Sequence, residues 1–237
     1  MNRRKSSPFS APGPVDADWE ARRLLLRRWA GDPWVFITGQ DIDGRWMIRT
    51  KNEAALGIAD SVYQPVPLDR PYLQRLVGEL FGPEKVCIVH KSRQMMVSTV
   101  ACLCLYWTCL FQIGRLCMLS KTKEGQAVMM LNDKIRGVHR RTPQWFQDTF
   151  PLSMTPANHA RFGRTDSSIL AVTESAAEAE LRGNTASLVM IDEAASQDHF
   201  PELMQAAQPM ATRIWALTTP NHGNPGGELC HRLITAV

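Results

Sequence analysis

Ser187–Ser196 reads SLVMIDEAAS, in which four apolar residues, Leu188, Val189, Met190 and Ile191, run straight into the adjacent carboxylates Asp192 and Glu193. So short an apolar run, closed by acids, is the pattern of a strand buried on both faces of a parallel sheet. Its acids then stand at the C-terminal edge, where open α/β sheets bind ligands. Two neighbouring carboxylates suit a divided task in nucleotide hydrolysis, one holding Mg²⁺ and the other orienting or deprotonating a water. An acid that merely caps the next helix gives the same local pattern. The choice between the two turns on whether a phosphate-binding loop lies upstream.

Upstream, Lys85–His90 (KVCIVH) is a second β-rich run, followed by KSRQMMVS over Lys91–Ser98 and a long apolar segment, Thr99–Ile113. Strand, tight loop and helix are the context of a P-loop, whose usual pattern is G-x-x-x-x-G-K-[ST]. In that frame Lys91 stands at the first glycine, Met96 at the second, Val97 at the lysine and Ser98 at the Mg²⁺-binding hydroxyl. The missing glycines remove backbone freedom where close phosphate approach needs it. The missing lysine removes the charge that meets the β- and γ-phosphates. Lys91 enters from the other end of the loop, and its flexible stem can bring an ammonium to the same phosphates; Arg93 adds a planar fork for phosphate oxygens. Backbone N–H groups near Ser98 and Thr99, at the start of the helix, supply an anion site in any case. Taken singly, Lys91 and Arg93 also read as ordinary solvated loop cations.

Around these two features the order of elements predicts an α/β fold, a doubly wound and mostly parallel sheet flanked by helices. Ala17–Ala30 has the pattern of an amphipathic helix, and Val35–Arg49 holds a short hairpin-like piece turning at Asp43-Gly44. Pro71–Leu80 reads as a helix leading into the Lys85–His90 strand, and a polar helix is expected from about Lys123 to Arg141. Further strands are expected near Arg115–Ser120, Ser168–Thr173, Ser187–Ile191 and Arg213–Leu217, with Pro143, Pro151 and Pro156 making a loop-rich crossover. The organisation expected is a disordered tail over 1–16, a small helical and hairpin subdomain over 17–66, and a P-loop core over 67–237. At 237 residues, with 44% hydrophobic and 21% charged residues, the chain is long enough for one sizeable core. A net charge of +4 permits a polyanionic partner without demanding one. The six cysteines form no C-x-x-C pair and sit mostly in apolar segments, as buried reduced thiols do. No apolar stretch is long enough for a bilayer span: Val100–Ile113 is too short and carries Thr108 and Gln112.

Several motifs together, in order, resemble one family, the ATPase motor of the large terminase subunit of tailed bacteriophages. KSRQMMVS looks like that family's atypical Walker A, with the lysine moved to the first loop position, Lys91. LRGNTASLVMIDEAAS looks like its Walker B region, including Arg182-Gly183-Asn184. LTTPNHGNPGG, Leu217–Gly227, is similar to the coupling motif, and Arg70-Pro71-Tyr72-Leu73-Gln74 to the adenine-side element. Asp32–Ile37 (DPWVFI) matches an N-terminal stretch, and Leu119-Ser120-Lys121-Thr122 ahead of Gln126-Ala127 the strand and helix after the P-loop helix. The resemblance spans roughly Asp32 to Gly227 and departs from the usual pattern at Met96 and Val97.

The resemblance implies a P-loop NTPase core of the ASCE, RecA-like kind that hydrolyses ATP with Mg²⁺ to package double-stranded viral DNA. ATP is then bound by Gln74, as base reader, and by Lys91, Ser92, Arg93, Gln94, Met95, Met96, Val97, Ser98 and Thr99. Lys91 and Arg93 hold the phosphates; Ser98 and Asp192 hold Mg²⁺, with Thr99 as the fallback if the loop register differs by one. Glu193 positions the attacking water, and Thr218, Thr219 and Pro220 couple phosphate loss to motion. Further implications are a homo-oligomeric ring, a portal and small terminase subunit as partners, no membrane, and a place in the bacterial host cytoplasm. Members of the family normally continue into a nuclease domain. This chain stops near the expected end of the ATPase core, so a separate nuclease chain, a fragment or a split reading frame is the expectation, with no nuclease activity here. Arg182 could reach the phosphates or a neighbour. Lys134, Arg136, His139, Arg140 and Arg141 could grip a phosphate backbone or serve a helix C-terminus. The Arg22, Arg23, Arg27 and Arg28 face is equally open between solvation and docking. Rival readings are a host-type P-loop DNA-dependent ATPase or helicase, and a non-hydrolysing remnant that binds DNA or a partner.

Overall fold

The computed structural model describes residues 17–51, 62–92, 95–221 and 223–235. The tail expected over 1–16, and Arg93 and Gln94 of the loop, lie outside the described residues. The chain begins with α1 (Ala17–Gly31), α2 (Pro33–Ile37), β1 (Arg49–Lys51), β2 (Tyr63–Pro65) and α3 (Pro71–Leu80). It continues with β3 (Val86–His90), α4 (Val97–Phe111), β4 (Leu116–Lys121), α5 (Glu124–Leu131), a π-helical turn (Asn132–Arg136), α6 (Gly137–Arg140) and α7 (Gln144–Thr149). Then follow β5 (His159–Phe162), β6 (Ser167–Thr173), α8 (Glu174–Gly183), β7 (Ala186–Asp192), a 3₁₀ turn (Ala194–Ser196), α9 (Phe200–Met210), β8 (Ala211–Thr218) and α10 (Pro225–Thr235).

Six strands form one sheet in the order β3-β8-β7-β4-β6-β5. All pairs are parallel except β5 with β6. The strand period of two divides the apolar residues between two cores. Leu188 and Met190 of β7, with Trp215 and Leu217 of β8, face α1 to α7, while Val189, Ile191, Ile214 and Ala216 face α8, α9 and Cys230 of α10. Apart from Ser98, helix α4 is buried all round from Val97 to Leu110, as a helix wedged between a sheet and outer helices must be. The path from β3 to β4 leaves two places in the sheet that β7 and β8 later fill. Four parallel strand ends are thereby aligned at one edge.

The expected mostly parallel sheet flanked by helices is the observed architecture, and two local readings change. Within Val35–Arg49, the residues up to Ile37 belong to a helix. Asp32 caps it, its Oδ1 accepting the N–H groups of Trp34 and Val35 at 2.8 and 3.1 Å, and Pro33 supplies a pre-set first helical residue. The hairpin-like piece is shorter, a bridge of Gln40 with Trp46 around Gly44 at φ 75°. Residues of this N-terminal part, Trp29, Phe36, Ile37, Met47 and Ile48, share a core with α4. The second change is in the polar helix expected to Arg141, which is interrupted by the π turn, and the crossover beyond it contains β5.

That turn also alters the basic cluster. Arg136 is 2% exposed, and its guanidinium donates to the carbonyls of Ser153, Pro156, Ala157 and His159 at 2.6–3.2 Å. It is a brace for the crossover, not a surface cation. His139 is equally buried, and Nδ1 shares a 2.7 Å hydrogen bond with the Tyr106 hydroxyl. Arg141 lies 4.1 Å over the Tyr63 ring, and Lys134 pairs with Asp133 at 2.9 Å. Burial pushes the His139 imidazole down to about 4, so it stays neutral in the fold while the unfolded chain takes up a proton near pH 6.5. Stability therefore falls as pH drops from 6.5 toward 4, by about 2–3 kcal/mol for this group. Urea denaturation at pH 7 and 4.5 checks this, and His139→Asn should lose that share of the acid sensitivity.

Candidate functional site

Register places the site. His90 pairs with Thr218, Asp192 with Leu217 and Ser120 with Ile191, so the next residue of β4, Lys121, comes beside Asp192. Helix α4 starts just beyond β3 and carries Ser98 in its first turn. Lys91 Nζ donates to Ser98 Oγ at 2.8 Å, and that hydroxyl donates to Asp192 Oδ1 at 2.8 Å. Lys91 Nζ also lies 3.2 Å from Asp192 Oδ1. From the other side, Lys121 Nζ lies 3.0 Å from Asp192 Oδ2 and 3.6 Å from Glu193 Oε1. Burial pushes the Asp192 carboxyl up, but the ammonium groups of Lys121 and Lys91 and the hydrogen bonds from Lys121 and Ser98 outweigh it, holding the group below the usual carboxylate range. Burial pushes Lys121 down, and Asp192 and Glu193 more than offset it, leaving the ammonium held more tightly than usual.

Two site residues have left-handed backbones. Met96, at the second glycine of the P-loop frame, has φ 57°, and Glu193 has φ 60°. A side-chain-bearing residue pays about 1 kcal/mol there, and such strain gathers at functional sites. Met96 thus adopts the conformation a glycine would take at no steric cost. Val97 is buried at the start of α4, and Thr99 is buried too, so Ser98 alone of that turn reaches Asp192. Thr218 is buried; its Oγ1 accepts the N–H of Ala195 at 3.0 Å, and its carbonyl accepts the N–H of Lys91 at 2.8 Å. One threonine thereby ties β3, β8 and the turn after Glu193 together. Thr219 is half-buried, and Pro220 and Ser92 are exposed.

Beside Lys91 opens a cavity of about 450 Å³, lined by Tyr72, Arg75, Leu76, Val89, Met95 and Val97 among others. The Tyr72 hydroxyl donates to the Met95 carbonyl at 3.2 Å, fastening α3 to the loop. Gln74 sits on the exposed face of α3 and does not line this cavity. Arg182 pairs with Glu178 within α8, away from the four strand ends.

Sequence reasoning passed over Lys121 and Gln197. Lys121 had a legible signal, a cation two residues past the apolar run Leu116–Leu119, comparable to Asp192 after Ile191. Gln197, fully buried, donates from Nε2 to the Asp192 carbonyl at 2.8 Å, and nothing in its local sequence announces that. Replacing Lys121 by Met should lower stability at pH 7 by about 1–3 kcal/mol, because it strips one of two cations from a buried carboxylate. Asp192 has a depressed folded-state pKa, so this contribution is present above the unfolded value and is lost as pH falls through the folded one. In denaturation curves the gap between variant and wild type should therefore close only below about pH 4.

A serine hydroxyl hydrogen-bonded to a carboxylate is a hard-oxygen donor pair of the kind Mg²⁺ takes with phosphates and water. Among the described residues no group of three or more His, Cys, Asp and Glu converges to hold a metal without such help. Nor is any helix among them long and apolar enough to cross a membrane. All six cysteines are free.

No protein-family model and no curated protein matches this sequence. Among solved structures, the large terminase of bacteriophage HK97 superposes with a TM-score of 0.61 at 13% identity, over 87% of this chain and 42% of that one. The ATPase domain of the Thermus phage P74-26 large terminase, solved as a point mutant, gives 0.51 at 14% identity, over 70% of this chain and 69% of that one. This chain thus spans less than half of the HK97 protein. At these identities the likeness is one of fold: six mostly parallel strands flanked by helices, as in the ATPase domains of large terminases.

Proposed function

We propose that this chain is the ATPase core of a phage large-terminase motor, hydrolysing ATP to move double-stranded DNA into a procapsid. The observation that carries the reading is the meeting of Lys91, Ser98 and Asp192 beyond the ends of parallel strands, with Glu193 next in the chain, on a fold shared with terminase ATPase domains. In this reading the nucleotide base and sugar lie in the 450 Å³ cavity beside Tyr72, Leu76 and Met95, a volume within the usual range of ligand pockets. Tyr72 and Arg75 are better placed than Gln74 to meet the base. Lys91, with Arg93 and the N–H groups opening α4, binds the β,γ-phosphates and stabilises charge as the bond to the leaving group breaks. Ser98 and Asp192 are the protein oxygens for Mg²⁺, which when bound neutralises phosphate charge. Glu193 orients the attacking water, and Lys121 limits where its carboxylate can swing. Thr218 links the loop after β3 to the turn after Glu193, a path by which phosphate loss reaches Thr219 and Pro220.

In the same reading the motor acts on double-stranded DNA with a portal and a small subunit, as a homo-oligomeric ring in the host cytoplasm, as large terminases do. The test is steady-state ATPase with and without linear duplex DNA, alongside binding of a fluorescent ADP analogue. Turnover stimulated by DNA supports the motor. Nucleotide binding without turnover, with and without DNA, would leave the non-hydrolysing remnant as the better reading. Neither binding nor turnover sinks the nucleotide site altogether.

A further inference from the structure

We infer that Gly226 is a positioning residue for Glu193, the start of α10 acting as the stop against which that carboxylate is set; the inference rests on the hydrolytic reading of the site. Glu193 keeps a left-handed backbone, φ 60° and ψ 40°, that persists only where its surroundings enforce it. On the sheet side the enforcement is visible. Ser196 N–H donates to the Glu193 carbonyl at 2.8 Å, Gln197 reaches back to the Asp192 carbonyl at 2.8 Å, and Ala195 N–H is held by Thr218 Oγ1 at 3.0 Å.

On the outer side the same turn is closed by the first turn of α10. A Cβ added at Gly226 would fall 2.6 Å from the Ala194 carbonyl oxygen and closer still to that of Gln197. Both obstacles are backbone atoms of the turn, so no rotamer change clears them. The backbone at Gly226 is not left-handed, so glycine serves here for space and not for conformational freedom. Asn221 Nδ2 adds a 3.4 Å bond to Ser196 Oγ from the loop that precedes α10. A methyl at 226 must lift α10 away or drive Ala194–Gln197 toward Glu193. Either shift moves the Glu193 carboxylate. Lys91, Ser98 and Asp192 are bonded to one another from β3, α4 and β7, so the shift falls first on Glu193.

The experiment compares wild type, Gly226→Ala and, as a control, Gly125→Ala, whose Cβ meets nothing within 4 Å. ATP turnover is read beside the affinity for a fluorescent ADP analogue and the thermal melt. For Gly226→Ala, kcat should fall at least about tenfold while nucleotide affinity stays within about threefold, and Gly125→Ala should match wild type. A merely structural defect would lower both together. Should Gly226→Ala fail to fold, Asn221→Ala gives the milder form of the same split, kcat down about threefold at unchanged affinity. The inference is overturned by wild-type kcat in folded Gly226→Ala, by joint loss of kcat and affinity there, or by wild-type kcat in Asn221→Ala where it stands in. A wild type without turnover overturns the hydrolytic reading itself, and this inference with it.

Discussion

Lys91→Ala should reduce ATP turnover by about 10²–10³-fold, a loss of about 3–4 kcal/mol of transition-state stabilisation, typical for removing one preorganised charge from a reacting phosphoryl group. The position usually occupied by a P-loop lysine holds Val97, which is buried. The ammonium that reaches the first turn of α4 therefore comes from Lys91, 2.8 Å from Ser98 Oγ. Nucleotide affinity should fall as well, because the same charge meets the ground-state phosphates. The fold should tolerate the change, since Lys121 still pairs with Asp192 at 3.0 Å. Lys91→Arg should not rescue turnover, because a planar fork cannot occupy the place of a point donor between Ser98 Oγ and Asp192 Oδ1. Turnover in Lys91→Ala equal to wild type would show that another cation carries the phosphates.

Glu193→Gln should be as severe on kcat and nearly silent on binding. The amide keeps size and hydrogen bonding but cannot accept a proton from water, so turnover should drop by about 10²–10³-fold with nucleotide affinity within about threefold. The Glu193 side chain is 44% exposed and makes one long ion pair, at 3.6 Å to Lys121, so little folding stability depends on it. Asp192 behaves differently: it is 2% exposed and anchors Ser98, Lys91 and Lys121 at once. Two adjacent carboxylates at one strand end thus separate into a buried acid tied to three partners and a half-exposed one with a single long ion pair. Single-turnover measurements with labelled ATP distinguish a lost chemical step from slow product release in the Glu193→Gln variant.

How much of this was legible in the chain follows from the range of each interaction. The strands β3, β4, β6, β7 and β8 were readable because short apolar runs bounded by polar residues are local patterns, and each run is found within a residue or two of its expected place. The helix at Pro33–Ile37 was readable in principle from Asp32-Pro33, a cap followed by a first helical proline, but five residues are too few to show a helical period. Strand β5 was hidden because an antiparallel edge strand of four residues among prolines has no periodicity to show. The basic cluster misled for a different reason. Arg136 and His139 look solvated by composition, and the carbonyls and hydroxyl that take them inside come from residues 17–33 positions away.

Residue types, spacing and backbone grammar were enough to identify an open α/β sheet and the two acids at its edge. Each of those follows from neighbours along the chain. The partnership of Lys121 with Asp192, the brace from Gln197, the exposed position of Gln74 and the need for glycine at 226 came from the packing of distant segments. They depend on strand order and register: β4 beside β7 puts Lys121 opposite Asp192, and α10 against the turn after Glu193 leaves no room for a Cβ. Linear sequence carries the chemistry of such groups, but the distances that make them a site arise only when parallel strands align their ends.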